Sequence, residues 1–247
     1  MEKMLLRSPE AVLPTMVTFF RQFSDQAAAS SVFSSKLSAS LLTTSKSTNA
    51  ATRTASAELF AVLMLQVQDQ SDLDKIVNEY TALLLSGKTS SADQRTTLFS
   101  MLSTKPASQD LSLASASEKI LNSCTTILAK EANENTLAAM MNCMSLYLPL
   151  ASGSSALKPL ATALAKAMQD AKPAIRKPVV SGVGKCLWSL EQQVDDKFPA
   201  TILPALETNL KNASASPLTN TAGPLEGYVA VALLESLSTS ESGVSSQ

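Results

Sequence analysis

Arginine, or a polar residue in its place, opens a helical stripe at Thr52-Arg53, Gln94-Arg95, Asn135-Thr136 and Ile175-Arg176, in steps of 42, 41 and 40 residues. A near-constant step of that length accommodates one helical hairpin per repeat. One hairpin alone cannot bury its apolar side, so such a chain has to stack, each repeat covering the next. The partner helices carry a second mark, a proline after an apolar or basic residue: Leu13-Pro14, Lys158-Pro159 and Leu203-Pro204. Proline early in a helix occupies a position whose N–H has no intrahelical acceptor, whereas Pro178 falls deeper and should bend its helix.

The stripes between these marks have helical spacing. Leu13, Met16, Val17 and Phe20 form one, and Leu157, Leu160, Ala161, Leu164 and Met168 another; Leu59, Val62 and Leu63, and Ile202, Leu203, Leu206 and Leu210, repeat the pattern. Polar breakers at 45–49, 86–88, 151–154 and 213–217 separate them, and no stretch alternates with the period of a strand. With aromatics at 4%, the core has to come from Leu, Ala, Val and Met, which favour helices. The chain therefore parses as a leading helix near 10–23 and five hairpins: 27–44 with 49–66, 72–86 with 91–104, 112–130 with 134–148, 155–170 with 173–190, and 199–212 with 220–238. The step lies within the roughly 40–47-residue period of HEAT and armadillo repeats. The expected fold is all-α, a right-handed α-α superhelix of HEAT/armadillo type over residues 1–238, with a disordered Ser-rich tail at 239–247.

The residues exclude most chemistry. The chain has no histidine, which removes Ser-His-Asp and Cys-His arrangements. Cys124, Cys143 and Cys186 are too far apart for a zinc spacing and are not a disulfide framework, so a reducing cytoplasmic setting is expected. No nucleotide-binding loop is present, and Gly182-Val183-Gly184 reads as small contacts that let a neighbouring helix approach. The acid pairs Asp72/Asp74 and Asp195/Asp196 read as helix-start residues serving caps and the dipole. Met140, Met141, Cys143 and Met144 read as core filler. The longest apolar run, Leu59–Leu65, is short of the roughly 20 residues of a membrane helix, and no signal sequence opens the chain. In that setting the Asn212-Ala213-Ser214 sequon is a chance match. The reading is a non-enzyme without metal or cofactor, expected to bind neither membrane nor DNA.

Charge is unevenly spread although the total is −1. Residues 151–190 hold Lys158, Lys166, Lys172, Arg176, Lys177 and Lys185 against Asp170, a net of +5, and residues 191–247 carry a net of −5. Such asymmetry steers a polyanion to one part of a neutral molecule, and these six residues are the candidate partner-binding set. Trp188 lies on the same helical side as Lys177 and Lys185, either as a stacking platform or, as is commoner, packed on the next repeat.

The opening, Leu5-Leu6-Arg7-Ser8-Pro9-Glu10-Ala11-Val12-Leu13-Pro14-Thr15, resembles the N-terminal third of a large HEAT-repeat family. That family is the Gcn-type translational activator of general amino-acid control, which stimulates the starvation kinase of initiation factor two. Leu225-Glu226-Gly227, Val229 to Leu234 and Leu237 are similar to it too, while the middle agrees in helix rhythm and length. The resemblance implies a piece of a longer solenoid that lies along ribosomes, with the elongation-factor-like and kinase-binding regions outside this segment. It brings no single functional residue. The alternative is a HEAT adaptor of another system, a nuclear transport receptor or a phosphatase scaffold.

Overall fold

Five polar residues between the apolar stripes each accept a hydrogen bond from a free N–H at a helix start. Asp25 accepts from Ala28 N at 3.0 Å, Asn49 from Ala51 N at 2.9 Å, Asp69 from Ser71 N at 2.8 Å, Ser91 from Gln94 N at 3.2 Å and Asn133 from Thr136 N at 3.0 Å. Each such cap contributes about 1 kcal/mol to its helix. The computed structural model describes residues 2–23, 25–86, 91–189 and 197–215. Its helices are α1 (Glu2–Arg7), α2 (Pro9–Gln22), α3 (Gln26–Val32), α4 (Ser38–Thr44), α5 (Ala50–Met64), α6 (Gln70–Leu85), α7 (Ala92–Leu102), α8 (Ala114–Leu128), α9 (Glu134–Tyr147), α10 (Leu157–Met168), α11 (Pro173–Ser189) and α12 (Lys197–Ala215). No strand occurs among the described residues, and no described helix is long and apolar enough to cross a membrane. The protein is all-α and built of HEAT-type hairpins.

The packing divides into two compact units, residues 1–127 and 128–247. In the first, the second helices of successive hairpins stack directly, α2 on α5 and α5 on α7, while α4 and α6 close onto their partners α5 and α7. In the second, α9 stacks on α11 and α10 on α12, with α10 and α11 forming the hairpin. Like packs on like, which is how one repeat covers the apolar side of the next.

Polar side chains record the same step. In the first unit Ser30 Oγ donates to Asp72 Oδ2 at 3.0 Å, Ser38 Oγ to Glu79 Oε2 at 2.7 Å, Lys75 Nζ to Ser34 O at 2.8 Å and buried Tyr80 Oη to Ser38 O at 3.2 Å. Gln70 spans the same step, donating to Ser112 O at 3.2 Å and accepting from Ser112 N at 2.9 Å. These partners lie 41 or 42 residues apart, the interval of the opening arginines. In the second unit Asn209 Nδ2 donates to Met168 O at 2.8 Å across 41 residues. The aromatics concentrate in the first unit, where Phe33 meets Phe60 edge-on at 5.3 Å and Phe60 meets Tyr80 at 4.8 Å.

Four details depart from the sequence reading. Phe33–Leu37 is a turn of π-helix joining α3 to α4, where one continuous helix was expected; it turns Phe33 and Leu37 into the core. The short α1 precedes the expected leading helix. Pro14 and Pro204 are the sixth and eighth residues of their helices rather than early ones, because α2 starts at Pro9 and α12 at Lys197; Pro159 is third in α10, as expected. Asp69, not Asp72, caps α6, and Asp72 instead takes the hydroxyl of Ser30. The helix expected at 220–238, the tail at 239–247 and Asp195/Asp196 lie outside the described residues.

Candidate partner-binding face

The apolar stripe of α10, Leu157, Leu160, Ala161, Leu164, Ala167 and Met168, is buried, so the lysines between its members have to leave on the other side. Lys158 and Lys166 are exposed, Lys166 opposite the stripe and Lys158 at its edge, counting about 100° per residue. The chain turns at 169–172 and re-enters a helix at Pro173, a position where the missing N–H costs nothing. Asp170 Oδ1 accepts from Lys172 N at 2.8 Å and braces this turn, leaving the Lys172 side chain exposed.

In α11, Val179, Val180, Val183, Cys186 and Leu187 are buried, and Lys177 and Lys185 lie away from them, half-buried and exposed respectively. Lys185 Nζ donates to Asn142 Oδ1 on α9 at 3.0 Å. Burial pushes the Cys186 thiol up to about 12, against the lowering effect of the Lys185 charge, so at neutral pH it is a protonated core residue and no nucleophile. Its neighbourhood is the methionine cluster: Met140, Met141, Cys143 and Met144 are all buried, as core filler should be. Gly182 explains how α11 gets so near, since a Cβ there would stand 2.4 Å from Met141 Cβ. The expected role of this glycine as a close-contact residue is met.

Arg176 has a different job from the lysines. Its Nη1 donates to Asp170 O at 2.7 Å, so the half-buried guanidinium holds the carbonyls of its own turn. Arg53 does the same in the first unit, Nη1 donating to Ser47 O at 2.8 Å and Thr48 O at 3.1 Å, while Nη2 forms an ion pair with Asp93 Oδ2 at 3.0 Å. The recurring arginine is thus a fastener of the hairpin turn, which the spacing in the sequence revealed but did not explain. The six residues of the candidate set lie on two helices and the turn between them. Lys158 and Lys166 leave the solvent side of α10, and Lys177 and Lys185 that of α11. α10 packs on both α12 and α11, and α11 on both α9 and α10. Lys172 sits on the turn between them. The Trp188 side chain lies outside the described residues. Among the described residues no group of His, Cys, Asp and Glu has the arrangement of a metal site.

The family model described as "Generalcontrol nonderepressible 1 (Gcn1) N-terminal" matches residues 92–247, and the one described as "Stalled ribosome sensor GCN1 N-terminal" matches residues 1–91. The chain belongs to the GCN1 N-terminal family. No curated protein and no solved structure matches it. The resemblance read from the opening and the end of the chain is to this same family. The junction of the two GCN1 matches falls at Ser91, the N-cap of α7, inside the first compact unit. Packing runs through it, because α6 and α5 both touch α7.

Proposed function

We propose that this chain is a non-catalytic scaffold segment of a longer cytoplasmic solenoid that associates with ribosomes and supports activation of the starvation-responsive initiation-factor kinase. The observation that carries this reading is the pair of GCN1 N-terminal matches, one of them described as a stalled ribosome sensor, together spanning residues 1–247. The repeat architecture supports it physically: stacked hairpins offer a long surface to a large partner. Kinase activation rests on family kinship. The contact charges in this reading are Lys158, Lys166, Lys177 and Lys185, with Arg176 left out because its guanidinium is engaged by its own turn.

The test is ribosome co-sedimentation of the full-length protein carrying Lys158→Glu, Lys166→Glu, Lys177→Glu and Lys185→Glu, at two salt concentrations. Association should weaken, and more so at the lower salt, since each lost phosphate contact removes about one unit from the salt slope. Unchanged association with the helical signal intact would return the contact to another repeat.

A further inference from the structure

The close approach of α11 to α9 at Gly182 and Met141 brings two exposed polar side chains of the second unit together at the edge of that contact. Lys185, three residues after Gly182, donates from Nζ to Oδ1 of Asn142, the neighbour of Met141 in α9, at 3.0 Å. An ammonium has donors only, so this pairing fixes how the Asn142 amide stands, with Oδ1 towards the lysine and both Nδ2 protons left over. Among the described residues nothing accepts those protons, nor the proton of exposed Ser181, one turn before Lys185 on the same row of α11. We propose that Lys185, Asn142 and Ser181 form one phosphate-gripping site on the shared face of α9 and α11, and that its ligand is the phosphate backbone of RNA. The site lies within the basic set of the ribosome reading above, and the choice of RNA rests on that reading.

The charges around this face have one sign. α11 carries Arg176, Lys177 and Lys185 and no acid, and α9 carries no charged residue after Glu134. By the 43-residue offset that pairs Lys185 with Asn142, Glu134 is level with half-buried Lys177, so the positive field is offset at that end and left free at Lys185. The other described acids of the unit are engaged or elsewhere. Glu131 is buried, with Oε1 accepting from Ala132 N and Asn133 N, both at 3.0 Å; Asp170 Oδ1 accepts from Lys172 N; Glu207 is on α12, which packs on α10. What remains on the face is a set of donors around one full positive charge, which suits an anion with several acceptor oxygens on one atom.

The surroundings favour a phosphate backbone over an acidic protein. The large exposed apolar side chains among the described residues, Met4, Leu6, Phe19, Leu65 and Leu85, all belong to the first unit. Beside the site stand exposed Asn135 and Ala138 on α9 and Ala174 on α11, which are polar or small. A protein partner gains its affinity from apolar or aromatic anchors set into pockets, and this face offers no counterpart to them. A phosphate chain needs a charge and oriented donors, and contacts of that kind position the partner without reading its bases.

The experiment measures binding of the whole chain to a labelled RNA duplex of mixed sequence over a salt series. Wild type is compared with Lys185→Gln, Asn142→Asp and Asn142→Ala, and with Lys130→Gln as an exposed control in the turn before α9. Lys185→Gln should lower the salt slope by about one, so its deficit against wild type shrinks roughly fourfold for a fourfold rise in salt. Asn142→Asp sets a carboxylate where the amide now accepts from Lys185, and should lose the same slope with the lysine still present. Asn142→Ala removes neutral donors only; it should weaken binding about two- to tenfold at every salt and keep the slope. Lys130→Gln should match wild type, and far-UV circular dichroism should be unchanged throughout, since every altered side chain is exposed. A wild-type slope in Lys185→Gln and Asn142→Asp, wild-type affinity in Asn142→Ala, an equal loss in the control, or displacement of the duplex by polyglutamate would each overturn the inference. A chain that co-sediments with ribosomes yet ignores the duplex overturns it while leaving the ribosome reading in place. A wild-type protein that fails to co-sediment sinks that reading instead.

Discussion

Replacing Gly182 with alanine adds one methyl group to α11, and its effect can be worked from the structure. The new Cβ would stand 2.4 Å from Met141 Cβ, 2.6 Å from Met141 Cγ and 3.1 Å from Met141 Cε. The outer methionine atoms can swing aside, but Met141 Cβ is fixed by the backbone of α9. Ordinary van der Waals contact is about 3.5–4.0 Å, so the two helices have to separate by more than about 1 Å. Overpacking of this kind costs roughly 1–3 kcal/mol, and a fixed backbone-borne neighbour places it at the upper end. Glycine in a helix interior is itself worse than alanine by about 1 kcal/mol, which offsets part of the cost. The net expectation is a loss of roughly 2 kcal/mol, or about 4–8 °C in Tm. Urea and thermal unfolding followed by far-UV circular dichroism measure it. Adding Met141→Gly, which removes the fixed Cβ, should give a favourable coupling in a double-mutant cycle with Gly182→Ala. Gly153→Ala is the contrasting control. Nothing lies within 4 Å of its Cβ position, and its φ of +76° leaves backbone strain as the sole cost. That strain is about 1 kcal/mol, with no coupling to Met141. A Gly182→Ala protein as stable as wild type, or one uncoupled from Met141, would refute the close approach of α9 and α11.

The other expectations concern fasteners and buried titrating groups. Arg53→Ala should cost about 1–2 kcal/mol by freeing the carbonyls of Ser47 and Thr48, whereas Asp93→Asn, at an exposed partner, should cost well under 1 kcal/mol; chemical denaturation of both separates a turn fastener from a surface ion pair. Asn209→Ala should destabilise the second unit by about 1–3 kcal/mol, since the Met168 and Ala205 carbonyls lose a buried donor, as hydrogen exchange at α12 would show. Cys186 has a folded pKa raised from 9.0 to about 12, so its contribution is intact below pH 9 and lost as pH rises towards 12. Cys186→Ala should flatten stability over that window, and a slope unchanged by the substitution would contradict a buried thiol. Tyr80 is likewise raised, by burial first, and its contribution fails only above pH 10; Tyr80→Phe should remove that part of the alkaline loss in a pH-dependent melting series.

The helix content, the hairpin order and most boundaries were readable in the sequence because they follow from local periodicity and polar breakers. Asn49, Ser91 and Asn133 mark helix starts by chemistry that acts within three residues. The repeat step was readable too, since Arg53 and Arg176 recur at it. What each arginine does was not. Whether a guanidinium faces solvent or turns back on Asp170 O is decided by how the turn closes, and spacing does not encode that. For the same reason the sequence did not show that Arg176, among the six basic residues, is held by its own turn. Nor did it show that Lys185 reaches Asn142 on α9, whereas Lys166 leaves α10 opposite its buried stripe. The π-turn at Phe33–Leu37 escaped as well, because it is settled by where Phe33 must reach to meet Phe60 in the next helix of the core. Local residues determined which segments are helices; contacts some 41 residues away decided which side chains those helices hide, fasten or leave in water.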